Sequence, residues 1–387
     1  MIDFIFENPC KIIFGRKALS HLGEEAARYG DKALLVYGGG QIKRMGLYDQ
    51  VMGLLAEKGI QVWELGGIRP NPMLSRVYEG IELCRKHGIG LVLAVGGGSV
   101  IDTAKSISVG AVYDGDVWNF HEGKAVPVSS LAVGTVPTIA AAGSEMSYSS
   151  VITNEDGMRK KGFNALANVP KFSILNPEYC FTLPPYQTAC GVVDILAHLM
   201  ERYFTRVEHV MLTDQMIEAC MRTVIAQGPI AMAHPEDYDA RAELTWAGAL
   251  AHNTLMQTGR VGDWGSHKLD HELSALYDIA HGAGLAIVFP AWMKYVLPHA
   301  PAKLRQFAVQ VFGVPENFGD EEAVALEGIR RLEAFYRSLG MPTRLGEAGI
   351  GEDRLEEMAD RATSDGLVGV YLPLDREAAL AIYRLMK

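Results

Sequence analysis

Gly90-Leu91-Val92-Leu93-Ala94-Val95-Gly96-Gly97-Gly98-Ser99 is the stretch on which the fold turns. An apolar run stops on three glycines, and a helical stretch through Ile101, Asp102, Thr103, Ala104 and Lys105 follows at once. A short apolar run closed by glycine reads as a strand. The same unit stands upstream, where Lys32-Ala33-Leu34-Leu35-Val36-Tyr37 ends on Gly38-Gly39-Gly40, with helical spacing over 47–58. A third strand is expected at 61–65, and an amphipathic helix at 74–87 behind Pro70-Asn71-Pro72. Strand, glycine turn and helix in repetition predict a parallel, Rossmann-like sheet with crossover helices over residues 1–183. Ligands of such sheets bind outside the carboxyl ends of the strands, where both glycine turns fall.

Leu183-Pro184-Pro185 marks the expected boundary. Beyond it strand alternation largely disappears. Helical periodicity appears instead at 212–227, 238–255, 264–276, 283–296, 323–339, 354–363 and 376–386. Residues 184–387 are therefore expected to be an all-α domain. At 387 residues the chain is long for one hydrophobic core, and two domains are the natural division.

The composition excludes several partners. Lys and Arg number 36 against 46 Asp and Glu, a net charge of −10, which argues against nucleic acid or an anionic membrane as the main partner. No apolar run reaches the roughly 18 residues of a membrane helix. The start, Met1-Ile2-Asp3-Phe4-Ile5-Phe6-Glu7, lacks a signal-peptide pattern. Five cysteines (Cys10, Cys84, Cys180, Cys190, Cys220) without CxxC spacing fit free thiols in a reducing, cytoplasmic setting.

The helical half carries the chemistry. Asp194 and His198 are four apart and share one helix face among Val192, Val193, Ile195, Leu196, Leu199 and Met200. A carboxylate and an imidazole in apolar surroundings need partners, and a divalent cation shared with further histidines would satisfy both. His267 and His271, again four apart, and His281 supply them, so Asp194, His198, His267 and His281 are read as one metal site. Spacing alone leaves His271 in competition with His281 as the last ligand.

The glycine turns suggest what binds in the first half. Gly96, Gly97, Gly98 and Ser99 present backbone N–H groups at a helix start, which suits a pyrophosphate. Ile101 stands where the strict dinucleotide fingerprint has its third glycine. At Gly38, Gly39 and Gly40 there is no acidic residue to accept from a ribose 2′-OH, and Gln41, Lys43 and Arg44 follow, an arrangement that suits NADP(H) over NAD(H).

With these motifs assembled, the chain resembles the iron-containing (group III) alcohol dehydrogenases, and within them the butanol dehydrogenases and broad-range aldehyde reductases. The likeness runs from Phe6-Glu7-Asn8-Pro9 to the last helix, and includes Thr182-Leu183-Pro184-Pro185, Gly191-Val192-Val193-Asp194 and His267 with His271-Glu272-Leu273. The resemblance implies Fe(II), with Zn(II) as the alternative, on Asp194, His198, His267 and His281. It makes His271 a catalytic candidate beside the nicotinamide. It also implies cofactor contacts at Gly96, Gly97, Gly98, Ser99, Asp102, Thr138, Ser144, Lys160 and Thr182, with Gly38, Gly39 and Gly40 discriminating NADP from NAD. Relatives with glycines there imply NADPH, and a homodimer is compatible with the likeness. Four positions depart from the pattern: Ala142 replaces a threonine, Gln41 replaces a serine, and Asn176 and Asp270 differ where no ligand is expected.

The expected activity is reversible hydride transfer between NADP(H) or NAD(H) and a short-chain alcohol or aldehyde such as butanol or butanal. A polyol dehydrogenase of glycerol or propanediol type is the nearest alternative. A dehydroquinate-synthase-like lyase would need clustered basic residues around the metal, and only Arg202, Arg260 and Lys268 are near the ligands in sequence.

Overall fold

The computed structural model describes residues 1–387, which fall into two compact units, each with its own core. One comprises Glu7–Thr182 and Gly248–Asn253, the other Met1–Phe6, Leu183–Ala247 and Thr254–Lys387. Met1–Phe6 and Gly248–Asn253 thus each join the unit remote from them in sequence.

The first unit contains eight strands: β1 (Lys11–Phe14), β2 (Lys32–Tyr37), β3 (Gln61–Leu65), β4 (Leu91–Gly96), β5 (Ala132–Pro137), β6 (Ser149–Asn154), β7 (Arg159–Asn164) and β8 (Phe172–Leu175). Its helices are α1 (Leu22–Ala27), α2 (Gln41–Arg44), α3 (Leu47–Glu57), α4 (Leu74–His87), α5 (Gly98–Ala111) and α6 (Trp118–His121). Six strands form one parallel sheet in the order β1-β8-β5-β4-β2-β3. β2 and β4 show why their sequences are continuously apolar. Ala33, Leu35, Leu91, Leu93 and Val95 enter the core shared with α1 and α3, while Leu34, Val36, Val92 and Ala94 enter the opposite core with α4 and α5. Alternate side chains fill opposite faces, and both faces are covered.

The chain runs outward from β2 to β3, then crosses back to β4 on the other side of β2. The β2–β4 junction is therefore the switch point at which ligands of open α/β sheets bind. Gly38 follows Tyr37, which pairs with Val95, and Gly96 pairs with Pro137 just before Thr138. Both glycine turns and Thr138 thus lie at the carboxyl ends of three adjacent strands. Gly96 has φ 159°, and a Cβ there would lie 2.7 Å from Val100, so glycine alone fits between β4 and α5. The β6–β7 hairpin stands apart as an antiparallel pair, Thr153 opposite Lys160.

The second unit is helical: α7 (Pro185–Tyr203), α8 (Met211–Ala233), α9 (Tyr238–His252), α10 (Gly265–Tyr277), α11 (His281–Val296), α12 (Pro301–Phe312), α13 (Glu321–Ser338), α14 (Leu355–Ala362) and α15 (Arg376–Leu385). The end of α9 is counted with the first unit. α7 opens with Pro185 in its first turn, where no N–H is needed, and is buried all round from Gly191 to Tyr203. No helix is long and apolar enough to cross a membrane.

Candidate metal centre and cofactor turn

α7, α10 and α11 carry the acidic and imidazole groups. Asp194, His267 and His281 each offer one ligand atom, and these atoms lie within 4.8 Å of one another. His198 stands one turn along α7 from Asp194, its ring centroid 4.6 Å from that of His267. Its Nδ1 donates to the Asp194 carbonyl at 2.9 Å and lies 3.0 Å from the Asp194 carboxylate. His198 is thus beside the three converging groups but outside their 4.8 Å set. His271 lies on the same helix as His267, with its ring 6.2 Å from that of His281.

The hydrogen bonds select a tautomer for each imidazole. His267 Nδ1 is 2.7 Å from Glu201 Oε1, and His281 Nδ1 meets Asp270 Oδ2. With His198 Nδ1 turned to a carbonyl, all three rings donate from Nδ1 and therefore carry their lone pair on Nε2. A histidine that binds a metal through Nε2 makes this kind of outer bond from Nδ1.

Two atoms in the centre are buried without a hydrogen-bond partner, Asp194 Oδ1 and His267 Nε2. Orphaned polar atoms are rare in protein interiors and costly. One carboxylate oxygen and inward imidazole nitrogens, all unprotonated, form a donor set suited to a divalent first-row ion, so the residues fit one. Burial would raise the Asp194 carboxyl, but His198, His281 and His267 outweigh it and hold it down at about 2. Burial, with His198 and His281 alongside, keeps His267 far below its ordinary value, hence neutral. The His281 side chain remains 26 % exposed, so the centre is open on that side.

Sequence reasoning assigned no role to the carboxylates behind these rings. Glu201 accepts from His267 Nδ1, from the His267 amide at 2.9 Å and from the Trp264 amide at 2.5 Å. Burial nevertheless pushes it up to about 7. The 194–198–201 spacing on one helix face was the available signal, and it resembles any acidic helix position until burial is known.

In the α/β unit, α5 starts at Gly98 with no capping side chain and no acidic residue in its first turn, so the amides of Gly98 and Ser99 face outward from a positive helix end. The Thr138 amide donates to Gly96 O at 3.1 Å. Ser144 donates to Asp102 Oδ1 at 2.6 Å, and the Val151 amide donates to Asp102 Oδ2 at 3.0 Å. Gly96, Gly97, Gly98, Ser99, Asp102, Thr138 and Ser144 therefore form one neighbourhood. Lys160, on β7, bonds Asn71 Oδ1 at 3.0 Å. Thr182 accepts from Gln41 Nε2 at 3.0 Å, just after Gly38, Gly39 and Gly40.

The positive charges behind that turn have local partners. Lys43 sits over the rings of Tyr37 and Tyr48, both of which donate to Glu64. Arg44 bonds Gln41 Oε1. Lys105, unassigned from sequence, is fully buried and donates to Ser144 Oγ, Ser147 O, Ser147 Oγ and Ser149 O. Burial pushes it down to about 8, although Asp102 and Glu145 pull the other way.

Comparison with known proteins supplies the remaining observation. Residues 9–177 match the family described as iron-containing alcohol dehydrogenase, and residues 188–386 match the C-terminal region of the Fe-containing alcohol dehydrogenase family. The NADH-dependent butanol dehydrogenase A of Clostridium acetobutylicum is 42% identical, over 99% of both chains. The NADPH-dependent aldehyde reductase YqhD of Escherichia coli is 36% identical over 95% of this chain and 94% of that one. The crystal structure of NADH-dependent butanol dehydrogenase A from Thermotoga maritima matches with a TM-score of 0.96 and 41% identity, covering 99% of this chain and 98% of that one.

Proposed function

The chain belongs to the iron-containing alcohol dehydrogenase family, and from that premise we propose that it interconverts short-chain primary alcohols and aldehydes, with butanol and butanal as the reference pair, by hydride transfer to and from a nicotinamide dinucleotide. The observation that carries the reading is the convergence of Asp194, His267 and His281, with two of their buried donor atoms unmatched. Asp194, His198, His267 and His281 would hold the iron or zinc ion, His198 contributing from the next turn of α7. When bound, the ion supplies Lewis-acid polarisation of the substrate oxygen.

The chain's own groups do the rest. Glu201 and Asp270 hold the two imidazoles they touch with Nε2 left as the donor. His271, partly exposed with its ring 6.2 Å from that of His281, would pass the alcohol's hydroxyl proton to solvent through its imidazole. In the other unit, the Gly98 and Ser99 amides would receive the dinucleotide's pyrophosphate, with Gly96, Gly97, Asp102, Thr138 and Ser144 close about it and Lys160 and Thr182 as further contacts.

The glycines ending β2 leave a 2′-phosphate unopposed, which supports NADP(H). Lys43 and Arg44, however, are occupied by Tyr37, Tyr48 and Gln41, and the 42% identical relative is named for NADH. We take NAD(H) as the working cofactor, with NADP(H) as the competing form. The deciding experiment is a panel of aldehydes and alcohols, including glycerol and 1,3-propanediol, on protein reconstituted with Fe(II) or Zn(II), assayed with NADH and NADPH. Butanal reduction that requires the ion supports the reading. Turnover confined to polyols would replace the substrate class, and turnover indifferent to metal would overturn the site.

A further inference from the structure

Asp270 is a buried carboxylate behind the metal centre whose cost the chemistry above leaves partly unexplained. It lies on α10 three residues after His267 and is completely buried. Its Oδ2 accepts from His281 Nδ1 and from the Ser274 hydroxyl at 3.2 Å, while Oδ1 is buried with no hydrogen-bond partner. Room for this carboxylate exists because residue 284 is glycine: a Cβ there would lie 1.8 Å from Asp270 Oδ1. A buried carboxylate with so few bonds is costly to keep, more so than an apolar residue of similar size. What it gains is a fixed relation to one imidazole.

We propose that Asp270 is a positioning residue for the metal centre: by accepting the Nδ1 proton of His281 it holds that ring as an Nε2 donor and strengthens it as a ligand, so affinity for the divalent ion depends on a side chain that does not touch it. The inference rests on reading Asp194, His267 and His281 as metal-binding. Its physical basis is the tautomer. A neutral imidazole can carry its proton on either nitrogen, and a carboxylate at Nδ1 leaves the lone pair on Nε2 and makes it more basic. His281 needs this most, because its side chain is 26 % exposed where Asp194 and His267 are enclosed by α7 and α10, so packing does less to fix its ring. Glu201 stands in the same relation to His267.

The test uses full-length protein freed of metal with a chelator, then titrated with Co(II) and Zn(II) against a chromophoric competitor. Wild type should take one ion per chain and give a visible Co(II) spectrum. Asp270→Asn keeps an oxygen in place but loses the charge, and should bind about tenfold more weakly. Asp270→Ala loses the acceptor as well, and should approach a hundredfold, with an altered Co(II) spectrum. Should Asp270→Ala fail to fold, the near-isosteric Asp270→Asn still decides. Unchanged affinity and spectrum in the folded variants would overturn the role of Asp270 while leaving the metal site standing. A wild-type chain that binds no ion would remove the site itself, and this inference with it.

Discussion

Replacing Lys105 by Met should change how stability responds to alkaline pH. The ammonium is fully buried, held by four oxygens between Ser144 and Ser149, and burial lowers its pKa from 10.5 to about 8. That displacement corresponds to about 3 kcal/mol. Because the folded value lies below the unfolded one, the unfolded chain holds the extra proton between about pH 8 and 10.5, and stability climbs with pH across that window. Below about pH 8 the cost of burying the charge is fully present. Methionine has no such proton. Urea unfolding of both proteins at several values from about pH 7 to pH 11 should show the wild type gaining about 3 kcal/mol on the variant, while the other lysines and tyrosines, common to both, cancel in the difference. A difference that stays flat across the window would refute the claim that this ammonium is held against desolvation.

Asp194→Ala and His267→Ala should each reduce bound metal from one ion per chain to almost none and cut kcat by about a thousandfold or more, with far-ultraviolet circular dichroism unchanged; turnover preserved in a metal-free variant would remove the mechanism. Gly143 has φ 64°, and a Cβ on it would sit 2.3 Å from Gly248 O. Gly143→Ala should therefore cost about 2–4 kcal/mol in thermal or urea unfolding, and a neutral result would contradict that close approach. An added Cβ at Gly39 meets nothing within 4 Å. Gly39→Asp should consequently fold normally, keep kcat/KM for NADH and lower it for NADPH by about tenfold or more; an unchanged ratio would place the adenosine ribose elsewhere.

Much of this was legible in sequence because the informative residues act locally. The apolar runs at β2 and β4 and the glycines that end them announce a parallel sheet, since only strands covered on both faces are apolar at every position. Asp194 and His198 announce themselves by helical spacing in apolar company. Asp270 and Lys105 were not legible as buried groups, because an acidic or basic residue at a helix position resembles a solvated one until the packing partner, Gly284 for one and the loop from Ser144 to Ser149 for the other, is known. Lys43 and Arg44 illustrate the converse: their charge was visible, but the rings and amide that occupy them were not. The β6–β7 hairpin escaped for a related reason, since the Arg159, Lys160 and Lys161 run obscures its alternation.

The edge position of β1 has a consequence for the order in which the molecule can be made. Lys11 pairs with Phe172 and Phe14 with Leu175, so of the six strands in this sheet the earliest in sequence waits for the latest before it has a neighbour. β2, β3, β4 and β5 can assemble in the meantime, while β1 stays without a ladder and the apolar Ile12 and Ile13 lack their final surroundings. For a vectorially synthesised chain, that interval is the period when a nascent sheet is most open to capture by the wrong edge, and it ends only when β8 is delivered.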